Sequence, residues 1–219
     1  MAGYGVAVET AGVSLEGDLV LPPDPVGVVA FAHGSGSSRR SPRNRRVASV
    51  LEGRGFATLL FDLLTTGEEE IDRVTAQHRF DIGLLTRRLS GALLWITAYR
   101  GTRGLPVGLF GASTGAAAAL RSAADLPESV GSVVSRGGRP DLAGAALPRV
   151  RAPVLLVVGG ADRRVLALNE TAAQRLAGEH RVHVVPGATH LFEEPGALDE
   201  VSEATADWFS RTLGTRQSA

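Results

Sequence analysis

The chain has 219 residues and zero formal net charge, and it contains neither cysteine nor lysine: all 23 basic residues are arginine, balanced by 23 acidic ones. Without cysteine, thiolate catalysis, disulfides and cysteine-ligated metal centres are excluded, and without lysine so are Schiff-base chemistry and lysine-held nucleotide phosphates. A balanced charge withholds the summed positive field by which proteins bind nucleic acid or anionic membranes.

Two alternating segments, residues 4–8 and 13–21, precede the proline turn at 22–25 and predict a β-hairpin at a sheet edge. From residue 26 the pattern changes to short runs that are apolar on both faces, at 26–32, 56–62, 107–110, 130–135 and 154–158, closed by 182–185. Such runs suit parallel strands covered by helices on each side. Between them lie segments with helical spacing. Ser41-Pro42 offers an N-cap and a first-turn proline ahead of Val47, Val50 and Leu51, and residues 80–99, 114–124, 166–176 and 198–213 carry apolar positions at helix intervals. Strand and helix alternate to the end, which predicts an α/β fold: a mainly parallel sheet with helices on both faces and an N-terminal β-hairpin. The expected organisation is a single domain over 1–213 with a loose tail at 214–219. The first residues show no basic region followed by an unbroken apolar one, and no apolar run approaches the roughly 18 residues of a membrane helix, so the expectation is a cytoplasmic protein.

In such sheets ligands bind beyond the carboxyl ends of the strands, so the residues that follow each run carry the functional information. Gly111-Ala112-Ser113-Thr114-Gly115 is a G-x-S-x-G between a strand and an alanine-rich helix. A nucleophile on so sharp a turn needs a strained backbone, and the flanking glycines let neighbouring elements approach. In a chain with 27 glycines the pentapeptide alone is weak. Its context strengthens it: Asp162 follows the run at 154–158, His190 follows the last run, and the order Ser, Asp, His, each after its own strand, is that of the α/β-hydrolases.

The segments FAHGSGSS at 31–38, GLFGASTGAAAAL at 108–120, LLVVGGAD at 155–162 and PGATHLFEEPGAL at 186–198 make the chain resemble the dienelactone hydrolase-like group of α/β-hydrolases, over essentially everything from residue 26 onwards. The resemblance implies Ser113 as nucleophile, His190 as base and Asp162 as the acid that orients it. It also implies an oxyanion hole made by the backbone N–H groups of Thr114 and Ser35. Dienelactone hydrolases proper carry cysteine where this chain has Ser113. The likeness is therefore closer to serine-containing members of the group, whose substrates are mostly undefined and some of which are fused to phosphoribosyltransferase domains; no such domain fits in this length. His33 is expected to brace the oxyanion loop rather than act as a second base.

No insertion separates residue 136 from residue 151 beyond a short link, so no cap domain and an open site are expected. Residues 63–79 form the longest polar connection at that sheet edge and are the candidate flap. Arg136 and Arg139 leave a strand beside the site and could hold a substrate carboxylate or phosphate through their forked donors. The Arg39, Arg40, Arg43, Arg45 and Arg46 cluster reads chiefly as a solvated helix start. His180 and His183 fall on opposite faces of one strand, so neither a metal nor a cofactor is expected. The expected partner is a small acyl substrate, with the oligomeric state left open. Two other readings compete: a catalytically silent binding module of the same fold, and a dinucleotide-binding loop at 111–115. The latter requires a glycine turn after the first parallel strand and an acidic residue about 20 positions later, where this chain has Ser135-Arg136.

Overall fold

The computed structural model describes residues 3–213; the expected tail at 214–219 lies outside the described residues. Eight strands form one sheet in the order β1-β2-β4-β3-β5-β6-β7-β8. β1 (Tyr4–Thr10) and β2 (Val13–Val20) are the expected hairpin, and β2 joins the sheet antiparallel to β4 (Phe56–Phe61). β3 (Gly27–Ala32), β4, β5 (Val107–Ala112), β6 (Ser132–Arg136), β7 (Val154–Gly159) and β8 (His180–Val185) are parallel. The central strands are apolar on both faces because both faces are covered. Val28, Ala30 and Ala32 point to the layer holding α3 (Ile82–Ala98), α4 (Thr114–Asp125) and α5 (Arg163–Ala173), while Val29 and Phe31 point to α1 (Pro42–Gly53) and α6 (Ala197–Leu213). No helix among the described residues is long and apolar enough to cross a membrane.

Local chemistry explains where the elements begin. Ser41 caps α1 by accepting from the Asn44 N–H, with Pro42 in the first turn, as the sequence predicts. α5 starts three residues earlier than its apolar spacing suggests because the Asp162 side chain caps it through the Val165 N–H. The polar connection at 63–79 is largely helical: α2 (Thr66–Thr75) is closed by a reciprocal capping box between Thr65 and Glu68. Between β6 and β7 runs only a kinked 3-10 segment, Pro140–Arg149, and no cap domain is present among the described residues.

The loop after β3 is braced from below by His33. The Leu63 N–H donates to its Nε2 at 3.0 Å, which leaves the proton on Nδ1 to be donated to the Gly34 carbonyl at 2.9 Å. Burial pushes the His33 pKa below its ordinary value of 6.5, since the charged ring would lose water and its Nε2 acceptor. The unfolded chain therefore takes up this proton more readily than the folded one, so the His33 contribution is complete above pH 6.5 and declines as the pH falls below it. Urea denaturation at pH 7.5 and 5.5 should show a loss of stability on acidification that is smaller in His33→Asn. A second expectation concerns the crossing of α4 over β3, where a Cβ on Gly115 would stand 2.2 Å from the Ala32 carbonyl oxygen. Gly115→Ala should lower unfolding free energy by about 2–4 kcal/mol in denaturant titration.

Candidate active site

Ser113 sits between the last residue of β5 and the first of α4 with φ 50° and ψ −117°, a left-handed backbone that costs an L-residue energy and persists only where its surroundings impose it. The constraint comes from two sides. The turn after β6 grips the backbone, with the Ser113 N–H donating to the Arg136 carbonyl at 3.2 Å and the Arg139 N–H donating to the Ser113 carbonyl at 3.0 Å. Three glycines permit the crowding: a Cβ at Gly111 would meet the Ala116 backbone at 2.4 Å, one at Gly115 would strike the end of β3, and one at Gly34 would press on Ser113 Cβ at 3.1 Å. The hydroxyl is left half-buried at the carboxyl edge of the sheet.

Asp162 follows β7 and His190 lies in the loop between β8 and α6. His190 Nδ1 and Asp162 Oδ2 are 2.8 Å apart, while the other carboxylate oxygen caps α5. Both oxygens are thereby fixed, and the ring is oriented with Nε2 free of Asp162. The loop carrying His190 is drawn in because Gly159 leaves room for it: a Cβ there would stand 2.3 Å from the Ala188 oxygen. Buried Phe192 anchors the loop. A Cβ on Gly137 would lie 3.5 Å from His190 Cε1, so the imidazole edge faces the same turn that grips Ser113.

A cavity of about 140 Å³ opens between the loop after β3, the start of α4 and α2, lined by Ser35 and Thr114 together with Leu64, Asp72, Arg79 and Leu85. The backbone N–H groups of Ser35 and Thr114 donate no hydrogen bond to the described residues, so two free donors line one cavity. Its outer wall is α2, which sequence reading treats only as a flap. Arg88, buried on α3, pairs with Glu68 of α2 at 2.7 Å. Buried Asp72 receives the Arg79 side chain and the His78 and Arg79 N–H groups; burial opposes ionisation, but these bonds hold its carboxyl below the usual range. The capping-box spacing Thr65-x-x-Glu68 was the available signal for that helix.

The two arginines expected beside the site differ. Arg139 Nε and Nη2 donate to the two carboxylate oxygens of Asp141, at 2.8 and 2.7 Å. Arg136 is buried, and its Nε and Nη1 have no hydrogen-bond partner among the described residues. In the basic cluster, Arg39 pairs with Asp62 and Glu16, Arg45 with Asp18, and Arg46 with Asp199.

The sequence matches the profile of the dienelactone hydrolase family over residues 15–218. A crystal structure of a dienelactone hydrolase from Anabaena variabilis ATCC 29413 is 57% identical, with a TM-score of 0.95 over 97% of this chain and 98% of that one. A curated Mycobacterium tuberculosis H37Rv protein, provisionally named a phosphoribosyl transferase, is 56% identical over 204 residues, which are 93% of this chain and 45% of the relative. The chain thus spans about half the length of the curated relatives it matches. Est1E from Butyrivibrio proteoclasticus shares the fold at 14% identity, with a TM-score of 0.81 over 98% of this chain and 100% of its own. With this fold and this match along nearly its whole length, the chain belongs to the dienelactone hydrolase family of α/β-hydrolases.

Proposed function

We propose that the protein is a cytoplasmic serine hydrolase that cleaves a small ester, lactone or thioester through an acyl-enzyme, with Ser113 as nucleophile, His190 as base and Asp162 as its orienting acid. The observation that carries this reading is a serine on a left-handed strand-to-helix turn at the same sheet edge as an imidazole held by a carboxylate at 2.8 Å. In this reading His190 Nε2 takes the Ser113 proton as Oγ attacks the acyl carbon, then returns it to the leaving alcohol or thiol. Water, activated by the same imidazole, attacks the acyl-enzyme and releases the acid. The carbonyl oxygen gains negative charge in each tetrahedral intermediate, and the unengaged N–H groups of Ser35 and Thr114 are donors that could stabilise it.

The competing readings fare less well. In a dinucleotide loop the glycines leave space for a pyrophosphate, whereas Gly111 and Gly115 are filled by backbone from α4 and β3. A silent binding module would have no need of the strain at Ser113. The transferase name belongs to proteins of which this chain matches 45%, and that activity is not carried over.

A fluorophosphonate probe should label the protein on Ser113, with labelling abolished by Ser113→Ala; a folded, unlabelled wild-type protein would count for the silent module. The acyl preference follows from cavity size. A cavity of about 140 Å³ is close to the roughly 150 Å³ that admits benzene, so p-nitrophenyl acetate and butyrate should have higher kcat/KM than the decanoate. A decanoate preference would mean that α2 does not wall the acyl site.

A further inference from the structure

We propose that Asn169 is a positioning residue of the Ser113 centre. Its side-chain amide ties α5, the helix that Asp162 caps, to the turn that grips the nucleophile, and so fixes where the acid and the serine stand relative to each other. The roles of those two residues rest on the hydrolase reading; the tie itself is read from the hydrogen bonds.

By local rules position 169 should be apolar. α5 buries Val165, Asn169, Ala172 and Ala173, the i, i+4, i+7, i+8 stripe of a helix that packs on a core, and Asn169 is its one polar member, at 0% exposure. Asparagine is also a poorer former of helix interiors than leucine, because its short amide competes for nearby backbone groups. Burying an amide is unfavourable unless its donors and its acceptor are met, and here the acceptor is not: Oδ1 has no hydrogen-bond partner among the described residues. A leucine would remove each of these penalties. What asparagine adds lies in its two N–H groups.

Nδ2 donates to the Val165 carbonyl at 2.8 Å and to the Gly138 carbonyl at 3.0 Å. Both partners are acceptors, so they fix which way the amide faces. The first bond stays within α5, one turn back. The second crosses 31 positions of chain to the turn after β6.

Each end of this tie reaches the site in one further step. Val165 is the residue whose N–H donates to Asp162 Oδ1 at 3.3 Å, while Asp162 Oδ2 meets His190. Gly138 precedes Arg139, whose N–H donates to the Ser113 carbonyl at 3.0 Å, and follows Gly137, whose N–H donates to the Val157 carbonyl of β7 at 2.8 Å. On its other side Gly138 is pressed against β6 and α4, where a Cβ would lie 1.9 Å from Ser135 Oγ and 2.7 Å from Ala116 Cβ. Packing therefore sets the turn from one side and Asn169 holds it from the other. A strained backbone such as that of Ser113 persists only while its surroundings impose it, and reacting groups on separate elements lose rate steeply when one of them is displaced by about 1 Å. An amide that joins the acid's helix to the nucleophile's turn guards against both losses, which accounts for a polar residue on an apolar stripe.

The test is steady-state hydrolysis of p-nitrophenyl acetate by the full-length protein and by Asn169→Leu and Asn169→Ser, each first shown to be folded by circular dichroism and a cooperative denaturant transition. Asn169→Leu removes both bonds. Asn169→Ser keeps a hydroxyl for the Val165 carbonyl one turn back but is too short to reach Gly138. In both variants kcat should fall at least about tenfold while KM stays within about twofold, the split expected when alignment is lost and substrate binding is not. If Asn169→Leu does not fold, Asn169→Ser decides. A kcat within about twofold of wild type in a folded variant, or a change confined to KM, overturns the assignment and leaves Asn169 a packing residue. Fluorophosphonate labelling keeps the two claims apart. A wild type that labels on Ser113, with folded variants that retain their kcat, removes the positioning role alone; a folded wild type that neither labels nor hydrolyses the ester removes the hydrolase reading and this role with it.

Discussion

The left-handed backbone at Ser113 is the constraint on which the surrounding structure depends. An L-residue does not hold φ 50° unaided, so neighbouring elements must make the alternative worse. They do so by steric exclusion at Gly111, Gly115 and Gly34 and by a pair of backbone hydrogen bonds from the turn after β6. That turn packs closely on the β8–α6 loop: a Cβ on Gly137 would lie 3.3 Å from the His190 carbonyl oxygen and 3.4 Å from the Phe192 ring. One crowded crossing thus couples the ends of β3, β5, β6 and β8, and side chains from distant parts of the sequence keep a common frame.

Around this crossing, carboxylates serve as positioning groups more often than as free charges. Asp162 divides its two oxygens between the N-terminus of α5 and His190, so the start of a helix and the orientation of an imidazole are one event. Asp72 closes the end of α2 in the same manner, and Glu68 both caps that helix and neutralises Arg88 beneath it. Nearly all the arginines near the sheet edge have such a partner.

Much of the fold and of the candidate site could be read from the chain alone because the signals were local. The doubly apolar runs, the alternating hairpin and the glycine spacing about Ser113 each report a backbone requirement within a few residues. Element ends were less legible: α5 begins at Arg163 because a side chain caps it, not because its apolar spacing starts there. α2 was hidden in a polar stretch because its residues present little apolar periodicity, Asp72 being its one buried residue, although its capping box was written in Thr65 and Glu68. The arginines show the other kind of limit. Arg136 and Arg139 look alike in sequence, and only the position of Asp141 reveals that one fork is filled.

The sequence by itself determined the class of sheet, the strained turn at Ser113, the order of serine, aspartate and histidine along the chain, and the absence of thiol and lysine chemistry. These depend on residue type and short-range spacing, which a linear chain carries directly. The tertiary structure alone decided which oxygen of Asp162 meets His190, that α2 walls the cavity, and which carboxylate each paired arginine meets. Those outcomes depend on through-space contacts between residues far apart in the chain. For a charged side chain the distance to its counter-ion, not its identity, decides whether it is neutralised or free to bind.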